Sequence, residues 1–204
     1  QSAQTSESEL KSVKQLMLTF IKQPALEGFV REKLDQPSVK PESKSFLLDI
    51  IASSSLKQLP SSWIQSIGKL VESNNSGLRS QALGLIESRR ISTLNGQLEK
   101  LILNPSYPVD LQLRAMSAKI LSSPELSSGE FALLEKYTGK SYESPVRQSS
   151  VRLLSHAKLN NQQLLSLAKN KIADAEPFLL PGLLETFEGS KDAEVGKALV
   201  SALK

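Results

Sequence analysis

Few residues of this 204-residue chain have the types and spacing that catalysis requires. There is no cysteine, so disulfides, thiol catalysis, zinc–cysteine sites and iron–sulfur clusters are excluded within this chain. The single histidine, His156, cannot complete a usual zinc site by itself. We interpret it as a partly buried packing residue, with a ligand for an external partner as the alternative. Glu185 and Glu188 could share a helix face, as an acid–base pair must, but no cluster of polar residues accompanies them, which favours solvated charges.

The segment TGKS, residues 138–141, resembles the end of a phosphate-binding loop. The complete pattern requires a glycine where Leu134 stands and a preceding strand, so we predict a helix-ending turn near Gly139 instead. Asn74-Asn75-Ser76 has the form of a glycosylation site, and we predict a loop there. The sequence therefore predicts no catalytic, cofactor-binding or metal-ligating residue, and hence no enzyme.

Arginines recur at a regular interval along the chain, at Arg79, Arg114 and Arg147. Each follows a turn signal and precedes an apolar helical pattern. We predict a structural role, in which each guanidinium reaches a carboxylate or carbonyl group in a neighbouring unit. A stacked arginine series could instead bind a polyanion, and the spacing permits both interpretations.

Lysines form a second series. The tetrapeptides IGKL, LEKL and LEKY place Lys69, Lys100 and Lys136 directly before a core-type residue, and LAKN puts Lys169 near the same place. Exposed lysine is common on helices, so solvated side chains are one interpretation. The other is a stripe of positive charge that binds a partner with an acidic surface.

The elements that carry these residues follow an internal repeat. Small or apolar residues stand three, four and seven positions after each of five markers, and these offsets share one face of a helix. Subtracting the marker positions gives intervals of 35, 35, 33 and 33 residues. The markers are Lys44, Arg79, Arg114, Arg147 and Leu180.

Each marker helix is followed by a second amphipathic segment, so the unit is a pair of helices. Such a pair cannot bury both apolar faces alone and must stack on its neighbours. The sequence therefore predicts an all-α fold, a right-handed α-solenoid of helix pairs that forms one continuous domain. We expect a helical cap over residues 1–40 and repeats over 41–75, 76–107, 108–143, 144–173 and 174–204.

Bulk composition agrees with packed helices. Hydrophobic residues make up 39% of the chain and aromatic residues only 5%, which disfavours an aromatic-rich β-sandwich. The net charge of +4 is compatible with acidic partners but is far from a nucleic-acid signature. No apolar stretch is long enough to predict a membrane span, and the polar start of the chain lacks a signal-peptide core.

The proline or aspartate near helix starts, the early arginine and the Ala-Leu spacing resemble HEAT repeats, over about residues 40–204. The C-terminal FLLPGLLETFEGSKDAEVGKALVSALK is similar to the HEAT segment of large exported planctomycete and verrucomicrobial proteins. The matching features are the Leu-Pro-x-Leu-Leu around Pro181, Phe187-Glu188-Gly189 and GKALVSAL. In that family a propeller resembling a membrane-bound dehydrogenase commonly precedes this segment, and a c-type cytochrome domain with CxxCH follows it.

This chain has neither the propeller nor the heme motif, so the resemblance implies a middle module without the family's redox chemistry and without a cofactor of its own. The resemblance also favours an extracytoplasmic, periplasmic location. The expected function is a non-catalytic interaction scaffold that binds a protein partner or neighbouring domains of the same polypeptide.

Two other functions remain as alternatives. A HEAT-like protein that binds nucleic acid or another polyanion requires a segregated basic face, whereas the chain has 25 basic and 21 acidic residues. A HEAT-like base-excising glycosylase requires aromatic and acidic residues that converge on the concave face. Trp63, the only tryptophan, has a helical register that indicates the core.

The repeat register predicts the effect of a charge at Leu83, four residues after Arg79. Leu83→Asp should lower the free energy of unfolding by several kcal/mol, because a carboxylate enters an apolar interface. Gln81→Asp, on another face of the same helix, is the matched control and should unfold close to the parent in urea. A Leu83→Asp protein that unfolds like the parent would show that this register is wrong.

Overall fold

The computed structural model describes residues 7–204, and these residues form an all-α protein. Within this range there is no β-strand, and a single parallel bridge joins Glu125 to Lys158. The predicted all-α class is confirmed. Residues 1–6 of the predicted cap lie outside the described residues.

The helices group into two compact units, and the first extends to Leu94. In it, α1 packs on α3, α3 on α5, and α2 and α4 lie against each other. Consecutive helices also pack together, α2 on α3 and α4 on α5. The helices are α1 (Glu7–Thr19), α2 (Pro24–Asp35), α3 (Pro41–Ser53), α4 (Ser61–Val71) and α5 (Ser76–Arg89), followed by a 3₁₀ turn, Ser92–Leu94.

The second unit begins at Asn95. In it, α6 packs on α7 and α8, α9 packs on α7, α8 and α11, and α10 packs on α12. The last turn of α10 continues as a π-helix, which also packs on α11 and α12. The helices are α6 (Asn95–Leu103), α7 (Val109–Ile120), α8 (Ser128–Tyr137), α9 (Ser144–His156), α10 (Asn161–Leu167), the π-helix (Ala168–Ile172), α11 (Leu180–Glu185) and α12 (Ala193–Ala202).

Each of the five predicted repeat ranges contains two of these α-helices. The boundary between the two units falls inside the range 76–107, between α5 and α6. The division into a cap and five repeats of one continuous solenoid stays a prediction.

Local sequence signals account for several helix boundaries. Pro41 is the first residue of α3, where a missing N–H costs nothing, because the first amides of a helix have no partner within the helix. The Ser127 side chain accepts from the Glu130 amide while Glu130 accepts from the Ser127 amide, which forms a capping box at the start of α8. Asn160 and Gln163 form the same arrangement at the start of α10.

The core register that the repeat predicts is correct in α5 and α9. Ala82, Leu83 and Ile86, the three offsets from Arg79, have no exposed surface. The offsets from Arg147 are buried as well; they are Ser150, Val151 and Leu154. In both helices the residues three, four and seven positions after the marker therefore form the packed face.

The register predicted for α7 is wrong. Leu121, the last offset from Arg114, is 44% exposed, and Arg114 itself is exposed. Because α7 begins at Val109, its fourth residue is Gln112, whereas Lys44, Arg79 and Arg147 are the fourth residues of their helices. Gln112 is buried, and so are the residues three, four and seven positions later, Ala115, Met116 and Lys119.

The register of α7 was predicted wrongly because this helix buries so many of its residues. Eight of its residues are buried, and they cover more than half of the helix circumference rather than one narrow stripe. The spacing of apolar residues in a helix buried on most sides cannot distinguish one register from another. Only the position of the first turn, after Pro108, determines which residue is equivalent to Arg79.

A buried ion pair joins α7 to α8. Lys119 Nζ lies 2.7 Å from Glu130 Oε2, and the side chains are 9% and 0% exposed. The same Oε2 accepts the Ser127 amide at 2.9 Å, whereas the buried Glu130 Oε1 has no hydrogen-bond partner among the described residues. The Glu130 carboxylate therefore depends on Lys119 for its charge compensation.

We predict that Lys119→Met destabilises the fold by about 3–5 kcal/mol, because it leaves an uncompensated buried carboxylate. Lys119→Met combined with Glu130→Gln should recover a large part of this loss, because glutamine keeps the capping box without the charge. Urea denaturation measures the free energy of unfolding of the single and the double variant. Lys197→Met removes an exposed lysine that pairs with Glu194 and should unfold like the parent; an equal loss in both lysine variants would contradict the prediction.

Candidate functional site

The four lysines of the predicted stripe all point away from the core. Each is exposed, and the residue two positions before each lysine has no exposed surface. Residues two apart on an α-helix point about 200° apart, so a buried residue at that offset orients the lysine outward. The lysines are Lys69, Lys100, Lys136 and Lys169, and the buried residues are Ile67, Leu98, Leu134 and Leu167.

Three of these lysines lie on neighbouring helices of the second unit. Lys100 is on α6, which packs on the helix that carries Lys136, α8. Glu135 Oε1 on α8 accepts hydrogen bonds from Ser166 Oγ on α10 at 3.0 Å and from Asn170 Nδ2 on the π-helix at 3.3 Å. Lys169 is on the same π-helix, so α6, α8 and the π-helix bring three positive side chains to adjacent helices.

The π-helix sets the direction of Lys169. Its five residues, Ala168–Ile172, follow α10 without interruption, and Ala168 and Ile172 are buried. A π turn changes the direction of the side chains that follow it, and such segments are common at functional sites. Sequence reasoning missed this element, because its helical spacing differs from the α-helical repeat.

Lys69, in the first unit, has a structural partner. Its Nζ lies 2.8 Å from Asp35 Oδ2, which joins α4 to α2, while 65% of its side chain stays exposed. Burial by itself raises the pKa of the Asp35 carboxyl, but hydrogen bonds from Lys69 and Ser66 outweigh it and lower that pKa below its ordinary value. Lys69 therefore stabilises helix packing as well as contributing surface charge.

Two of the three repeat arginines bind the turn that precedes their helix. Arg79 Nη1 donates to the Ser73 carbonyl at 3.0 Å. Arg147 Nε donates to the Thr138 carbonyl at 3.4 Å, and its Nη2 lies 2.9 Å from Glu176 Oε2. Both guanidinium groups thus fix the start of a first helix to the end of the second helix before it.

In α7, Gln112 takes the place that Arg79 and Arg147 have in their helices, and it binds a carbonyl group in the segment before its helix. Its Nε2 donates to the Asn104 carbonyl at 2.8 Å, and its Oε1 accepts the Tyr137 hydroxyl. Burial, and secondarily the nearby Tyr142, raises the pKa of Tyr137, so its hydroxyl stays protonated and remains a donor. A search restricted to basic residues missed Gln112; its position as fourth residue of the helix would have found it.

A groove of about 320 Å³ surrounds Arg147 in the second unit. The predicted turn at 138–141 forms one side of it, and the Gly139 amide donates to the Lys136 carbonyl at 3.0 Å. Gly139 suits this turn, since a Cβ there would lie 3.0 Å from that carbonyl oxygen. The Arg147 guanidinium stacks over the Phe178 ring at 5.3 Å. A carboxylate, a carbonyl group and an aromatic ring thus hold the Arg147 side chain in place, which indicates a structural role.

The remaining predicted residues have the following positions. His156 is the last residue of α9 and is exposed, so its assignment as a partly buried packing residue was wrong. Glu185 and Glu188 are exposed. Trp63 is fully buried, as its register predicted, and its Nε1 donates to the Glu27 carbonyl at 3.0 Å.

Among residues 7–204, no group of three or more His, Asp or Glu side chains is arranged to hold a metal ion. None of the helices in this range has the length and apolar character needed to cross a bilayer.

Comparisons of the chain with family models, with curated proteins and with solved structures give no match. The resemblance to HEAT repeats therefore rests on the residues alone.

We predict that Lys69→Met raises the Asp35 pKa, because the main hydrogen bond to the carboxylate is lost. In the parent the lowered pKa contributes stability above the unfolded-state pKa, about 3.9, and this contribution disappears as pH falls through the folded-state pKa. The parent should therefore be more stable than Lys69→Met at neutral pH, and the difference should vanish in acid.

Carboxyl NMR titration measures the Asp35 pKa, and urea denaturation at several pH values measures the stability difference. Lys100→Met removes another exposed lysine and is the control. A shifted Asp35 pKa in the control, or an unchanged one in Lys69→Met, would contradict the assignment.

Proposed function

We propose that this chain is a non-catalytic protein-interaction scaffold. Its second-helix surface binds an acidic surface on a protein partner or on a neighbouring domain of the same polypeptide. The observation that carries this proposal is that each lysine points away from the core of its own unit, two residues after a fully buried side chain.

The proposed architecture is a right-handed α-solenoid of HEAT-like helix pairs. Support comes from tertiary hydrogen bonds and ion pairs that join residues about one repeat apart within each unit. In the first unit these pairs are Lys14–Asp49, Glu27–Ser62 and Asp35–Lys69, separated by 35, 35 and 34 residues. In the second they are Glu125–Lys158, Glu135–Asn170 and Asn161–Asp192, separated by 33, 35 and 31 residues.

In a solenoid of this kind the second helices line the concave surface, where a partner can contact several repeats at once. An exposed pair of charges contributes only about 0.2–1 kcal/mol. Specificity therefore requires that several lysines engage one acidic segment together, as Lys100, Lys136 and Lys169 can on adjacent helices.

The proposed context is the HEAT module of a larger exported protein with dehydrogenase-like and heme-binding domains. The residues around Pro181 and the C-terminal GKALVSAL support it. In this chain Pro181 is the second residue of α11, and Phe187 and Val195 pack in the core nearby, so these residues have structural roles that a repeat module would retain. The proposed location is accordingly extracytoplasmic.

The experiment replaces Lys100, Lys136 and Lys169 by glutamate together. The probe is a fluorescent poly-glutamate peptide, and binding is measured by anisotropy at low and high salt. We expect the triple variant to bind at least about ten-fold more weakly, and added salt to weaken binding by the parent. The variant should stay folded, because exposed substitutions usually change stability by less than about 0.5 kcal/mol each.

A matched control separates position from net charge. Lys22, Lys57 and Lys191 are exposed and lie outside the helices, and their replacement by glutamate changes the net charge by the same amount. This control should bind the peptide almost as the parent does; equal weakening in both variants would refute the lysine surface. Tighter binding of a single-stranded oligonucleotide than of the peptide would favour the polyanion-binding alternative.

A further inference from the structure

A groove of about 310 Å³ in the first unit is lined by three positively charged residues. They are Lys57, Arg89 and Arg90, and none of the described residues that line the groove is acidic. Glu87, the acidic residue nearest to Arg89 in the sequence, is not part of the lining. A cleft with charges of one sign between apolar walls concentrates ions of the opposite sign, so this groove is suited to an anion.

Arg89 supplies a fixed positive charge beside this groove. Its guanidinium group donates to the Leu56 carbonyl at 2.8 Å and to the Ser54 carbonyl at 2.7 Å. These acceptors satisfy N–H groups but carry no net charge, so the bonds leave the positive charge of Arg89 in place. Because Leu56 directly precedes Lys57, the same bonds hold the guanidinium close to the segment that carries a second positive side chain.

Arg90 has a backbone conformation that favours glycine. Its φ is 50° and its ψ is 51°, and it is the only non-glycine residue with positive φ among residues 7–204. The Arg90 amide donates to the Glu87 carbonyl at 3.2 Å, and the Ile91 amide donates to the Ile86 carbonyl at 3.0 Å, which closes the end of α5. Glycine would make the same two bonds without strain. The helix end therefore does not account for the arginine side chain, which has no partner among the described residues.

The rest of the lining combines hydrogen-bond donors with an apolar side. Ser92 and Thr93 are exposed, and their hydroxyl groups make no hydrogen bond to the described residues. Leu59 and Ile64, both half-buried, are the apolar part. A phosphate group has two negative charges and several acceptor oxygens, which match an arginine fork and hydroxyl donors better than a single carboxylate does. The apolar side can contact a carbon group attached to the phosphate.

We propose that this groove, between the end of α5 and the segment before α4, binds a phosphate group, either as the free anion or in an organic phosphate ester. Arg90 and Lys57 contact the phosphate oxygens, Arg89 adds its fixed charge, and Ser92 and Thr93 donate hydrogen bonds. The site lies in a different part of the chain from Lys100, Lys136 and Lys169. It goes beyond the proposed scaffold function and does not depend on it.

An NMR titration of the complete chain at constant ionic strength tests the site, with inorganic phosphate and phenyl phosphate as probes. The amide signals of residues 90–93 should shift and saturate. Arg90→Gly should weaken binding of both probes at least about ten-fold, because it removes the unpartnered guanidinium. Since glycine suits the left-handed conformation, this variant should resist urea at least as well as the parent, which separates loss of binding from loss of fold. Arg152→Gln removes an exposed arginine of α9 and should bind as the parent does.

Acetate, which has one carboxylate like a glutamate side chain, should bind at least about ten-fold more weakly than phosphate, so the groove contributes little to binding of the poly-glutamate peptide. Tighter binding of phenyl phosphate than of phosphate assigns an organic phosphate to the groove, and equal affinity assigns the free anion. The proposal is overturned if Arg90→Gly binds phosphate like the parent. It is also overturned if acetate binds as tightly as phosphate, or if the shifts spread over the exposed lysines without saturating at residues 90–93.

Discussion

The structure depends on one physical constraint. Its helices are short, and each must bury an apolar side against a neighbouring helix. The longest α-helix among residues 7–204 is α5, with 14 residues, and an isolated helix of that length is marginal in water. Each helix is therefore stable only where an apolar side is buried against a neighbour. This requirement explains why the chain repeats one pattern of buried residues at intervals near 34 positions.

Polar contacts then fix how the helices meet. The Arg89 guanidinium donates to the Ile51 and Ser54 carbonyls at 2.9 and 2.7 Å and to the Leu56 carbonyl at 2.8 Å, so a residue at the end of α5 satisfies the end of α3. Carbonyl groups at a helix C-terminus have no partner within the helix and have partial negative charge. A guanidinium group supplies both hydrogen-bond donors and a positive charge. Apolar burial alone would allow neighbouring helices to slide, whereas these directional bonds select one register.

The position of a charged side chain on its helix determines whether it is held in helix packing or stays exposed to a partner. Arg79 and Arg147 point into the junction between a second helix and the first helix that follows, where carbonyl groups and Glu176 hold them. The lysines that lie two residues after a buried side chain point away from the core, towards solvent. The distinction follows from position on the helix and not from residue type, since Lys119 is buried and paired with Glu130 while Lys136 is exposed. The proposed partner-binding surface consists of the second kind of position.

The sequence alone determined the helical class, the burial of Trp63 and the core register of α5 and α9, because periodic apolar residues dictate which side of an amphipathic helix is buried. It could not determine the register of α7, which is buried over more than half of its circumference, or the exposure of His156, which depends on where α9 meets its neighbours. The pairing of Lys69 with Asp35 and of Lys119 with Glu130 also needed the tertiary structure. Periodicity specifies the face of a helix, whereas the groups that lie against that face come from other parts of the chain.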